Sequence, residues 1–305
     1  MSGPILIGGE HRSGTTLVSL VLDSHPQLTV GPELDFREPH SLGAHVLECC
    51  ALLAAGDPRV AGEGVATRDP AFALGVQFVR QCERFGVEPA RLAELTEAAL
   101  RERGGADLVD FADRCALIDR LGRARRDDDG SAAWGIKIQR SIVDAEAFAR
   151  VWPDARFVHV VRDGRDVAAS QLRGARGWGF ADAAAAAAGW LEVVEAPALR
   201  RVRAHTLRYE DLVADPRATL AALLDFLELP WSDAPLAHQE QPHALLARPY
   251  GHPSSEAAAH AIDPAAVGRY ARDLAPAELR TFERIAGAAL ERHGYALATP
   301  RAAAS

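Results

Sequence analysis

The chain has 305 residues, 48% of them apolar, and a formal net charge of −8. That is enough to bury a large core, and the acidic balance excludes nucleic acid or an anionic membrane as the main partner, because counterion release needs clustered cations. The four cysteines, Cys49, Cys50, Cys82 and Cys115, form no C-x-x-C pair, so neither a zinc site nor a disulfide framework is expected. With no basic segment followed by an apolar one at the N-terminus, and no window near the ~20 apolar residues of a membrane span, the expected compartment is the cytoplasm.

In chain order, Ile5–Ile7 reads as a buried strand ended by Gly8 and Gly9, and Thr15–Ser24 reads as the following helix, stopped at His25-Pro26. From about Phe36 to Asp129 the pattern is almost wholly helical: Leu42–Ala55, Ala71–Phe85, Pro89–Arg103 and Leu108–Arg125. The charged run Arg120–Arg126 followed by Asp127-Asp128-Asp129-Gly130 reads as a solvated loop. Further strands are expected at Ala133–Ile138, Arg156–Val161 and Arg203–Arg208, each continuous and each followed by a helical pattern. Pro276–His293 closes the fold as a helix, with residues 296–305 as a tail. Continuous apolar strands separated by helices predict an α/β fold of three layers, a central parallel sheet flanked by helices, as one domain over 1–295 with a helical insertion at about 37–130.

Between the first strand and helix lies Gly9-Glu10-His11-Arg12-Ser13-Gly14-Thr15-Thr16. Gly9 and Gly14 have the spacing of a phosphate-binding G-x-x-x-x-G-K-[ST] loop, but Thr15 stands where the lysine belongs and Arg12 lies inside the loop. Such a loop still turns backbone N–H groups and a helix N-terminus onto one anion, with Ser13, Thr15 and Thr16 adding hydroxyl donors. It suits a single 5′-phosphate better than a magnesium triphosphate. A second stretch, Arg156-Phe-Val-His-Val-Val-Arg-Asp-Gly-Arg-Asp-Val-Ala-Ala-Ser170, sends Arg162 off a strand end and places Ser170 two turns into the next helix. Both residues then converge on an anion at the carboxyl edge of the sheet. The competing reading pairs Arg162 with Asp163 or Asp166.

These segments, with Leu22-Asp23-Ser24-His25-Pro26, Gly31-Pro32-Glu33 and Leu207-Arg208-Tyr209-Glu210-Asp211-Leu212, resemble the P-loop sulfotransferases that use 3′-phosphoadenosine-5′-phosphosulfate (PAPS), and within them the tyrosylprotein branch. The resemblance implies a P-loop-type fold, PAPS as donor, no metal, and 3′-phosphate binding by Arg162 and Ser170. It also implies adenine contact by Tyr209, a cofactor contact by Arg269, and support of the leaving phosphate by Arg12 and the strand lysine Lys137. In the cytosolic branch the base is a histidine two residues after that lysine; here Gln139 holds the place. Glu33 aligns with the tyrosylprotein base, against a competing loop pair with Arg37, and His11, His25 and His40 are the nearby alternatives. Ser254 and Ser255 align loosely with cofactor-contacting serines. The acceptor expected is a hydroxyl- or phenol-bearing small molecule. A magnesium-ATP kinase would need a lysine after Gly14 and a strand-end aspartate, while an idle nucleotide-binding protein would lack the base and the strand lysine.

Overall fold

A computed structural model describes residues 3–34, 42–60, 70–173, 179–247 and 257–298. The apolar runs form a five-stranded sheet: β1 (Ile5–Gly9), β2 (Leu28–Glu33), β3 (Ala133–Gln139), β4 (Arg156–Val161) and β5 (Ala204–Arg208). The order is β2-β3-β1-β4-β5, and every neighbouring pair is parallel. Strand alternation divides the core. Ile5, Ile7, Val158 and Val160 face α1 (Thr15–Asp23) and α10 (Pro216–Leu227), while Leu6, Ile136, Ile138 and Phe157 face α2 (Leu42–Ala54) to α6 (Ala145–Val151). A third cluster joins Val161 and Val167 to Trp190 of α8 (Ala183–Val194) and to Phe282 on the C-terminal helix Pro276–Arg292.

The helical layer between β2 and β3 also includes α3 (Pro70–Arg84), α4 (Pro89–Glu102) and α5 (Phe111–Asp129). One strand is added to those expected, and one expectation is corrected. Leu28–Glu33 is a strand, at the sheet edge where Pro32 coincides with a register break between Gly31 and Glu33. The charged run expected as a loop is the end of α5: Arg123 pairs with Asp119 and Arg125 with Asp129 one turn apart, and Gly130 closes the helix at φ 66°. The four thiols are buried, and burial pushes Cys49 up to about 12 and Cys50 to about 11.

The L-D-S-H-P segment makes the turn from α1 into β2. Asp23 Oδ1 accepts from Val30 N at 2.9 Å, Ser24 Oγ donates to Leu20 O at 2.9 Å, and His25 Nε2 lies 2.8 Å from Pro230 O. Asp23 Oδ2 is also 2.7 Å from Nδ1 of buried His243, whose Nε2 faces the His238 carbonyl at 3.0 Å. Burial opposes the His243 charge, but its bonds to Asp23 and to the carbonyl, together with the Asp23 charge, hold its pKa above the ordinary 6.5. A histidine raised on folding gives its full stabilisation below pH 6.5 and loses it as pH rises through the folded value. Thermal unfolding is therefore expected to show a stability loss as pH rises above 6.5 that shrinks in His243→Gln.

Candidate active site

In an open parallel sheet the crevice lies beyond the carboxyl ends of the strands, where the strand order reverses. Here the chain passes from β1 outward to β2 and β3, then crosses to β4 and β5. Each strand end delivers a predicted residue: the loop after β1, Glu33 on β2, Lys137 on β3, Arg162 after β4, and Tyr209 opening α9 (Tyr209–Ala214) after β5.

The loop is set by two left-handed residues, Arg12 at φ 74° and Gly14 at φ 104°. Ser13 N donates to Glu10 O at 3.0 Å, and α1 starts at Gly14 with no side-chain cap, so its first N–H groups point out of the helix toward the crevice. Ser13 Oγ is buried with no hydrogen-bond partner among the described residues. Glu10 anchors the loop from behind: Oε1 accepts from His11 N at 2.8 Å and from Gln171 Nε2 at 3.1 Å, while Oε2 takes Arg140 Nη1. Burial raises the pKa of Glu10, against the pull of Arg140.

Gly14 lies against the Tyr209 ring, and a Cβ there would fall 2.7 Å from Cδ2. Gly14→Ala thus meets both a clash and left-handed strain, costing roughly 1–3 kcal/mol for the strain alone. Urea unfolding is expected to show a larger loss than for Gly104→Ala, whose φ of 65° carries similar strain but whose Cβ would meet nothing within 4 Å.

Three guanidiniums gather on this loop. Arg12 Nε donates to Ser170 Oγ at 2.8 Å, which ties the loop to α7 (Gly164–Leu172). Arg162 stacks on the Tyr209 ring at 4.5 Å and donates to Arg12 O at 3.2 Å, while its Nε is buried with no partner among the described residues. Burial lowers the pKa of Arg12, and the charges of Arg162 and Arg269 lower it further. That crowding of like charge is the electrostatic mark of an anion site.

The rest of the R-D-G-R-D run is scaffold. Asp163 takes Arg165 through both oxygens, at 3.0 and 2.7 Å, and Arg165 reaches Glu283 at 2.6 Å. Asp166 accepts from Gly268 N and Tyr270 N, both at 2.8 Å, and so pins the segment that carries Arg269 beside the loop. Arg162 and Asp166 stand 3.8 Å apart, beyond hydrogen-bond length, so the pairing weighed for Arg162 is a loose one. Tyr209 belongs to the apolar core while its ring supports Arg162 and Gly14.

The absent loop lysine has a counterpart on the neighbouring strand. Lys137 Nζ lies 3.3 Å from Thr16 Oγ1, and Lys137 is the direct register partner of both Ile7 and Glu33. Burial lowers its pKa, and Glu33 partly restores it. Glu33 Oε2 in turn accepts from Gln139 Nε2 at 2.7 Å, and Gln139 Oε1 faces His11 Nδ1 at 2.6 Å. Of the alternative bases, His25 is engaged at the α1–β2 turn. Arg37, His40, Ser254 and Ser255 lie outside the described residues.

Two supporting roles were not read from the sequence, where Asp166 was weighed only as a partner of Arg162 and Gln139 was noted only in the place of a base histidine. Asp166 gives no signal distinguishable from a helix-start acid. Gln139 does: residues two apart on a strand share a face, so Lys137 and Gln139 point the same way beside the end of β2.

A parallel sheet with an anion loop on its first strand, one arginine within that loop and two more converging from later segments is the architecture of a P-loop-type α/β protein. The family model for the sulfotransferase family matches residues 4–233, and the chain belongs to that family. Protein-tyrosine sulfotransferase 1 of Danio rerio is 25% identical over 245 residues, 77% of this chain and 56% of that protein. Protein-tyrosine sulfotransferase 2 of Gallus gallus is 26% identical over 257 residues, 81% and 56%. The chain thus spans a little over half the length of these curated relatives. In fold it is similar to the sulfotransferase domain of the Synechococcus PCC 7002 olefin synthase, with a TM-score of 0.60, 21% identity and 97% coverage of each chain. It is also similar to the sulfotransferase domain from the curacin biosynthetic pathway, with a TM-score of 0.59, 18% identity and coverage of 97% and 99%. Among the described residues, no helix is long and apolar enough to cross a membrane, and no group of three His, Cys, Asp or Glu side chains is placed to hold a metal.

Proposed function

We propose that the chain transfers a sulfuryl group from PAPS to a hydroxyl- or phenol-bearing acceptor, with Glu33 as general base and Arg12 and Lys137 supporting the leaving phosphate. The observation that carries this reading is the convergence of Arg12, Arg162 and Arg269 on an uncapped helix start whose buried Ser13 hydroxyl lacks a partner among the described residues. Those groups fit a nucleotide with two separate phosphates: one on the loop, met by Ser13, Gly14, Thr15 and Thr16, and one at Arg162 and Ser170. The donor, when bound, supplies an activated S–O bond whose cleavage leaves charge on a phosphate oxygen. Arg12 and Lys137 meet that charge, and Glu33 takes the acceptor proton; positioning and electrostatics do the rest, as in phosphoryl transfer.

A magnesium-dependent kinase is less well supported, since both oxygens of Asp163, the candidate strand-end metal ligand, are engaged by Arg165. The large helical layer between β2 and β3 favours a small-molecule acceptor. Incubation with ³⁵S-labelled PAPS and a panel of phenols, aliphatic alcohols and tyrosine peptides tests the reading. Label on a phenol or alcohol is the expected result. Label on a tyrosine peptide alone would contradict the small-molecule acceptor, and phosphoryl transfer from ATP without use of PAPS would contradict the donor.

A further inference from the structure

The carboxylate of Glu33 is held by a chain of side chains from three different strand ends. Gln139 Nε2 donates to Glu33 Oε2 at 2.7 Å, and Gln139 Oε1 lies 2.6 Å from His11 Nδ1. An amide has one donor end and one acceptor end. With the donor end given to the carboxylate, Oε1 accepts, so His11 donates from Nδ1. Donation then runs in one direction, from His11 through Gln139 to Glu33. The Gln139 backbone sits at φ 46°, ψ −130°, outside the ordinary regions for a residue with a side chain. Its neighbours enforce that: the register of β1 against β3 slips at this point, and a Cβ on Gly8 would fall 2.7 Å from Gln139 O. Strain of this kind persists only where the surroundings over-determine it.

From this geometry we propose that Gln139 is the positioning residue of the base, occupying Oε2 of Glu33 and presenting Oε1 to the acceptor hydroxyl. The inference rests on the reading of Glu33 as base. In the transfer step the acceptor oxygen forms the new bond to sulfur, and the bond from sulfur to the bridging phosphate oxygen breaks, its electron pair passing to the phosphate. The acceptor proton passes to Glu33 Oε1, while Gln139 gains and loses none. A neutral amide suits this task, because it donates to a carboxylate and accepts from an imidazole N–H at once. A cation in its place would bind the carboxylate as an ion pair and weaken it as a base.

The test compares Gln139→Ala, Gln139→Glu and Glu33→Gln with the wild type, using PAPS and the best acceptor from a panel of phenols and alcohols. Gln139→Ala is expected to lower kcat roughly 10–100-fold, the scale of a misplaced reacting group, with affinity for 3′-phosphoadenosine-5′-phosphate (PAP) nearly unchanged. Gln139→Glu also moves the acid limb of the kcat profile to higher pH, since a second carboxylate against Glu33 favours protonation; Lys137 and His11, the charged and titratable groups beside it among the described residues, are unaltered. Without any acceptor, ¹⁵N NMR is expected to show the Nδ1–H tautomer of His11 in the wild type and loss of that preference in Gln139→Ala. Wild-type kcat and pH profile in both Gln139 variants, beside an inactive Glu33→Gln, would overturn the positioning role and leave the base reading standing. An active Glu33→Gln would overturn both, and an Nε2–H tautomer of His11 in the wild type would overturn the direction of donation.

Discussion

Glu33→Gln is expected to reduce kcat for sulfuryl transfer by roughly 10²–10⁴-fold, the usual contribution of a positioned base, with PAP affinity within about two-fold of the wild type. The substitution keeps shape and keeps an oxygen for Gln139 Nε2, now 2.7 Å from Glu33 Oε2, so the site stays assembled while the proton acceptor is lost. It also removes the charge that offsets the effect of burial on Lys137. Steady-state kinetics and isothermal titration calorimetry on one preparation separate the two effects. If most of the activity survives, the acceptor proton goes elsewhere, and His11 is the first place to look.

Lys137→Ala carries the second large effect, a loss of roughly 10²–10³-fold in kcat, the magnitude found when one donor to a developing oxyanion is removed. Lys137 stands opposite Ile7 on β1 and opposite Glu33 on β2, and its Nζ reaches Thr16 at 3.3 Å, so one cation serves both the loop and the base. Its pKa lies below the ordinary 10.5 because burial outweighs the help of Glu33, so the alkaline limb of the wild-type kcat profile is expected below pH 10.5. Lys137→Arg, which keeps a charge but not its compact shape, is expected to recover part of the rate. Equal turnover in wild type and Lys137→Ala would remove the lysine from the mechanism.

The strands that build the crevice were legible where apolar runs are continuous: Ile5–Ile7 and Arg156–Val161 read as buried strands and are the centre of the sheet. Leu28–Glu33 was not, because Gly31 and Pro32 interrupt it and an edge strand tolerates that interruption. The end of α5 was hidden for the opposite reason. Its charges suggested a loop, and only their one-turn pairing, Arg123 with Asp119 and Arg125 with Asp129, holds them in a helix. In the site, the loop and its relocated cation could be read from spacing, since Gly9, Gly14 and Thr15 state what is missing. What supports them could not. Asp166 holds the Arg269 segment from 104 positions away and Gln139 holds Glu33 from 106, and such pairings exist only once the sheet is formed.

The proposed activity requires two separate phosphate sites, and binding tests them before any acceptor is known. Isothermal titration calorimetry of the purified protein with PAP and with Mg-ADP, repeated on Arg162→Ala, is the most direct measurement. PAP is expected to bind more tightly than Mg-ADP, and this preference to be lost in Arg162→Ala while 5′-AMP binding is little changed. Tighter binding of Mg-ADP, unaffected by the Arg162 substitution, would contradict the proposed activity.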